Sequence, residues 1–87
     1  MKADINKLKI IGYDGSFTLW RYPAPELLSD ALKLDFWNDL HDMVRVGDLI
    51  MVTGAAGAAT LNISAVSLGH VHFQVMAATS YWRPLPP

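Results

Sequence analysis

The feature that most constrains this chain is "LIMVTGAAGAATLNIS", residues 49–64: an apolar run, a Gly/Ala turn, then polar–apolar alternation. An apolar strand entering Val52-Thr53-Gly54-Ala55-Ala56-Gly57 raises the possibility of a dinucleotide-binding loop. In such a loop a Gly-rich turn opens a helix whose N–H groups hold a pyrophosphate. Length weighs against it, because that fold needs several βαβ units of about 30 residues each, and only 30 residues of the 87 follow Gly57. Ala58 and Thr60 also stand where the fingerprint requires glycine. Thr60-Leu61-Asn62-Ile63-Ser64 has period two, the mark of a half-buried strand rather than a helix. The stretch therefore predicts a hairpin.

The same alternation extends on both sides. Lys7-Leu8-Lys9-Ile10-Ile11 reads as a short strand ended by the Tyr13-Asp14-Gly15-Ser16 turn, since Asp-Gly is a strong turn signal. In residues 17–22, Phe17, Leu19 and Arg21 point one way and Thr18, Trp20 and Tyr22 the other, with the aromatic enrichment of a strand. Pro23 and Pro25 stop it. Pro25-Glu26 suits a first helical turn, and Leu27, Leu28, Ala31, Leu32 and Leu34 follow at helical spacing, predicting a helix over about 25–33. Phe36, Trp37, Leu40 and Met43 extend helical turns to about residue 43. After the Val46-Gly47-Asp48 turn, strands are predicted at about 48–54, 58–66 and 70–79. Gly69 turns the last pair, with Val71, Phe73 and Val75 inward and His70, His72 and Gln74 outward. The expected fold is mainly β: a small antiparallel β-barrel or sandwich with a short helical insertion at about residues 25–43. Residues 1–79 form a single β domain and 80–87 an extended Pro-rich C-terminal tail.

Composition narrows the function classes. Seven Lys/Arg against eight Asp/Glu give a net charge of −1, so no overall electrostatic pull toward nucleic acid or anionic membrane is expected. Apolar residues reach 52% while charged ones are 17%, below the usual quarter. A domain this small buries only about 60–65% of its unfolded surface, so faces covered by partners are expected. The absence of cysteine removes disulfides and thiolate chemistry. No apolar run approaches the ~18 residues of a membrane span, and the N-terminal lysines precede no apolar h-region, so no signal peptide is expected.

Candidate chemistry is sparse. His70 and His72 lie on one strand face about 7 Å apart, and His41 could join them only if the helical segment crossed to that strand. Two exposed polar residues alternating with buried Val71 and Phe73 explain the pattern without a metal. Asp35, Asp39 and Asp42 form the solvated side of a segment whose other side is Phe36, Trp37, Leu40 and Met43. None of the serines, at 16, 29, 64, 67 and 80, sits in a G-x-S-x-G elbow. No catalytic, cofactor-binding or metal-binding residues are assigned. "RVGDLIMVTGAAGAATLNI" has the strand and turn pattern of small RNA-binding barrels, yet Arg45 is the only Lys or Arg between Lys33 and Arg83. Gly47 and Asp48 have structural work there: a turn, and bonds to local backbone N–H groups.

The order of elements carries a further signal. Phe17-Thr18-Leu19-Trp20-Arg21-Tyr22 is followed by a Leu-rich segment, Asp35-Phe36-Trp37-Asn38, then Leu40-x-x-Met43-Val44-Arg45-Val46-Gly47-Asp48-Leu49-Ile50-x-Val52. A Gly/Ala turn and Leu61-x-Ile63-x-Ala65-Val66-Ser67 complete the series. Over about residues 17–67 this resembles small tailed-phage and prophage virion proteins of the head-decoration, or cement, type. Their pattern runs "F-x-L/Y-W-x-Y", "G-Y-F-N", "L-x-V-G-D-x-I-x-V" and a closing "V-x-x-V". Leu34-Asp35-Phe36-Trp37 stands where "G-Y-F-N" is usual, and the last strand and tail are unmatched. The resemblance implies a non-enzymatic protein of the virion capsid surface, assembled in the bacterial host cytoplasm. It would bind the major capsid protein and bridge neighbouring subunits as a homo-oligomer, a trimer before a dimer, with no cofactor, nucleic acid, membrane or small-molecule substrate. A small β-barrel adaptor or head–tail connector is the alternative, with an RNA-binding barrel behind it. A 9.6 kDa domain exposes roughly 5,000 Å², of which one standard patch of ~800 Å² is about a sixth. Two coat contacts and a self-contact would cover close to half of it. For interface anchors, Tyr81, Trp82, Arg83 and Leu85 of the tail belong to a segment whose prolines restrict the backbone before docking. Tyr, Trp and Arg are also the residue types that dominate interface energetics.

Overall fold

The computed structural model describes residues 2–25, 28–55 and 57–80. The structure is mainly β, with 51% of the described residues in strands. β1 (Lys9–Tyr13), β2 (Thr18–Pro23), β3 (Leu49–Gly54), β4 (Gly57–Ser67) and β5 (His70–Ser80) form one sheet in sequence order. β1–β2, β3–β4 and β4–β5 are antiparallel, while β2 and β3 run parallel. The sheet is thus mixed, and it does not close on itself: β1 and β5 are its two edges. Both points correct the expectation of a small antiparallel barrel or sandwich. The parallel pair follows from the excursion of residues 24–48, which leaves one end of β2, crosses a sheet face, and re-enters at the other end.

Local chemistry fixes each turn. Asp14 Oδ1 accepts from the Ser16 N–H at 2.9 Å, the Ser16 hydroxyl at 2.7 Å and the Phe17 N–H at 3.2 Å, folding the β1–β2 connection around one carboxylate. The β4–β5 connection is Leu68-Gly69, with φ of 53° and 77°, the two positive values a two-residue hairpin turn needs. Gly69 accepts that freely; Leu68 does not. Where the chain leaves β2, Ala24 donates its N–H to the Thr53 carbonyl at 2.8 Å. A Cβ on Gly54 would lie 2.9 Å from Ala24 Cβ, so the close approach requires glycine there.

The excursion covers one face of the sheet. Its regular pieces are 3₁₀ segments, Leu28–Leu32 and Asn38–Leu40, rather than the α-helix predicted over about 25–33 and beyond. Bonds from residue i to i−3 recur at Lys33, Phe36, Asn38, Leu40 and His41. Ser29, Asp30, Asp35, Asn38 and Asp39 compete for backbone groups and disfavour a long α-helix. The buried side is as expected at Phe36, Trp37 and Leu40, with Met43 partly buried, but Leu34 is 85% exposed instead. Phe36, Trp37 and Tyr22 meet edge to face, with ring centroids 4.8–5.9 Å apart, and the Trp37 indole N–H donates to the Ala31 carbonyl at 2.9 Å. This cluster packs with Trp20, Ile50, Val52, Leu61, Ile63 and Val71 from the sheet to make the core.

Asp48 locks the excursion to the sheet. Its side chain is buried. Oδ1 accepts the Thr18 N–H at 2.9 Å, and Oδ2 accepts the Trp20 indole N–H and the Arg45 N–H, both at 3.0 Å. Charge-assisted bonds of this kind are about twice as strong as neutral ones, so one carboxylate joins β2, the excursion's exit and the start of β3.

Candidate functional site

The positions singled out for chemistry are dispersed. His70 and His72 do share an exposed side of β5, with ring centroids 6.5 Å apart. The excursion reaches them, but through Asn38 rather than His41. Asn38 Oδ1 accepts the Val71 N–H at 3.0 Å, and its Nδ2 lies 3.2 Å from His70 Nδ1. His41 Nδ1 instead sits 2.9 Å from the Asn38 carbonyl, with its Nε2 3.1 Å from Asp42. Among the described residues no group of three His, Asp or Glu side chains is placed to hold a metal ion. Asp39 lies 3.9 Å from Lys2 and Asp30 lies 2.9 Å from Lys33, while Asp35 is exposed to solvent.

Among the described residues two clefts bear on the candidate chemistry. One, of about 370 Å³, is lined by Ile10, Tyr13, Phe17, Met43, Val46 and Asp48 among others, but the Asp48 carboxylate is already turned onto three N–H groups. The other, of about 270 Å³, lies between Lys2, Asp4, Lys7, Tyr22 and Pro23, where the Asp4 N–H donates to the Tyr22 hydroxyl at 2.7 Å. At the first cleft the Ser16 hydroxyl donates to the Asp14 carboxylate, a pair that folds the β1–β2 turn. Among the described residues Asp14 is the one group with a clearly shifted acidity. The backbone N–H of Ser16, then its hydroxyl, then the Phe17 N–H hold the carboxyl below its ordinary value.

The broadest feature is the sheet face that the excursion leaves uncovered. Register assembles it from alternate residues of every strand. One row crosses as Lys9, Arg21, Met51, Thr60 and Ala77, and the next as Gly12, Leu19, Leu49, Asn62 and Gln74. Pro23, Thr53, Ala58 and Thr79 make a third row. The intervening residues Trp20, Tyr22, Ile50, Val52 and Leu61 are buried on the other side, whereas Leu19, Leu49 and Thr60 are only half-buried and Met51 is 36% exposed. These three rows contain no acidic residue, and their two cations stand directly opposite each other at one corner. The face offers recognition chemistry: aliphatic and thioether surface, small hydroxyl and amide groups, and a cationic corner.

Period two alone puts Leu19 and Arg21 on one side of a strand. It could not assemble the full face, because the β2–β3 register that sets Arg21 beside Met51 is a long-range fact. The anchors expected at Tyr81, Trp82, Arg83 and Leu85 lie outside the described residues. No protein-family model, no curated protein and no solved structure matches this chain. No helix among the described residues is long and apolar enough to cross a membrane.

Proposed function

We propose that this protein is a phage capsid decoration protein, a non-enzymatic component that binds the outside of the major capsid protein shell and bridges neighbouring subunits. The observation that carries the reading is the uncovered sheet face, neutral over most of its extent in a domain whose acidic residues lie elsewhere. Five strands at about 4.8 Å spacing and about six residues of length give a projected area of about 400 Å². That is about half of a standard contact. A protein with one such face gains by holding its partner at a second point, which is the role we assign to Tyr81, Trp82, Arg83 and Leu85 of the tail. Linked weak contacts reinforce one another through effective concentration.

In this reading the chain acts in the virion, at the capsid surface, after assembly in the bacterial cytoplasm. It forms a homo-oligomer there, a trimer before a dimer, and needs no cofactor, nucleic acid, membrane or small substrate. In this assembled state the β1 and β5 edges, open in the single chain, would meet neighbouring strands. The experiment is a protein profile of purified particles. Decoration predicts a copy number that follows the coat protein. A number that follows a single vertex marks a head–tail connector, and absence from particles ends the proposal.

A further inference from the structure

Lys9 and Arg21 pair across β1 and β2 with their side chains on the uncovered face. Directly opposed residues have Cβ atoms about 4.5–5.5 Å apart, and like charges in that relation destabilise a sheet. Among the described residues neither cation has an ion-pair partner; the ion pairs involve Lys2, Lys33 and His41. The carboxylate of the β1–β2 turn, Asp14, is committed to the N–H groups of that turn. The next residue along the cations' row is Met51, and Leu19 and Leu49 sit together in the adjacent row. An apolar middle bordered by unpaired charge is the anatomy of a recognition surface, with Arg and Met among the residue types enriched at interfaces.

The charge distribution also decides against a second copy seated face to face. The three rows hold no carboxylate for Lys9 and Arg21 to meet, because Asp30, Asp35, Asp39 and Asp42 belong to the excursion that covers the opposite face. Resting on the decoration reading above, we propose that this face docks on the coat protein, against an apolar surface that supplies carboxylates to Lys9 and Arg21. The cation pair then sets orientation and partner choice, since complementary charge contributes specificity and encounter rate, and like-charge juxtaposition suppresses wrong partners.

The test uses the full chain and shells assembled from the coat protein encoded in the same genome. Arg21→Glu places a carboxylate opposite Lys9, so the isolated variant should melt at or above the wild-type temperature. Its affinity for shells should fall about 30-fold or more. Lys9→Glu should behave alike. The double variant should bind worst while melting like wild type, because two like charges again face each other. If wild type binds shells and Arg21→Glu binds them equally well, the docking face is wrong and the decoration reading survives. If wild type does not bind shells at all, both fall. Binding of wild type to a labelled oligonucleotide or to phosphatidylserine vesicles, abolished by Arg21→Glu, would assign the cations to phosphate and also overturn the proposal.

Discussion

The two faces of the sheet are built from the same strands by alternate residues, yet they carry different loads. On the covered face, Trp20, Ile50, Val52, Leu61 and Ile63 are buried beneath Phe36, Trp37 and Leu40. On the open face, Leu19, Leu49, Met51, Thr60 and Asn62 touch mainly their cross-strand neighbours. Period two thus separates a face that holds the fold together from an open face, to which we assign docking, along one backbone. A substitution on the first face should unfold the protein; one on the second should leave it folded and change what it binds.

The comparison is broken most forcefully at Trp37, which is fully buried and bonded to the Ala31 carbonyl. Trp37→Ala should cost about 3–5 kcal/mol in denaturant unfolding, a large fraction of the 5–15 kcal/mol typical of a domain. A cost below about 1 kcal/mol would mean that the excursion does not cover this face.

Asp48 gives the next largest effect. Asp48→Asn keeps the shape but replaces one carboxylate oxygen by an NH₂ group that opposes the donors it must receive. The expected loss is about 2–4 kcal/mol, with altered Trp20 fluorescence as a local signature. By contrast Met51→Gln, two residues further along β3 from Leu49 on the open face and adding no charge beside Arg21, should move stability by less than about 0.5 kcal/mol. Equal costs at Asp48 and Met51 would erase the distinction between faces.

Leu68 sharpens the comparison in the opposite direction. It is 94% exposed at φ 53°, so it buries almost nothing while holding a left-handed conformation that costs roughly 1–2 kcal/mol for an L-residue with a Cβ. Leu68→Gly should therefore raise the melting temperature or leave it unchanged. A clear drop would show that the tip is buried against something in solution.

Acid provides the smallest effect. Because the folded-state acidity of Asp14 lies below its ordinary value of 3.8, its contribution is present above about pH 4 and is lost as pH falls through the lower folded value. Between pH 4 and pH 2 the wild type should lose slightly more stability than Asp14→Asn. Identical acid profiles would show that the turn carboxylate contributes nothing.

How much of this was legible in the sequence depends on whether the information is local. The strands were, because alternation is a local signal: β3, β4 and β5 begin and end within a residue or two of their expected bounds. The buried positions Phe36, Trp37 and Leu40 were also legible, since spacing reports which side faces the core. The backbone that carries them was not, because apolar spacing does not distinguish a continuous α-helix from successive 3₁₀ turns. Asp48 was read as bonding local N–H groups, which holds for Arg45. Its bonds to Thr18 and Trp20 cross 30 and 28 residues and leave no trace in local pattern. The parallel β2–β3 pairing and the open edges are of the same kind. So is the candidate face: Leu19 and Arg21 were legible as one side of a strand, but their meeting with Leu49 and Met51 required the register.

The most direct test of the central claim, that the uncovered face is the docking surface of a decoration protein, is electron cryomicroscopy of shells mixed with the full chain. Density for the chain is expected on the shell exterior. Leu19, Leu49 and Met51 should lie against the coat protein, with a coat carboxylate within about 4 Å of Arg21, the reach of an ion pair. Shells without the chain, or a chain bound with these three side chains facing solvent, would contradict it.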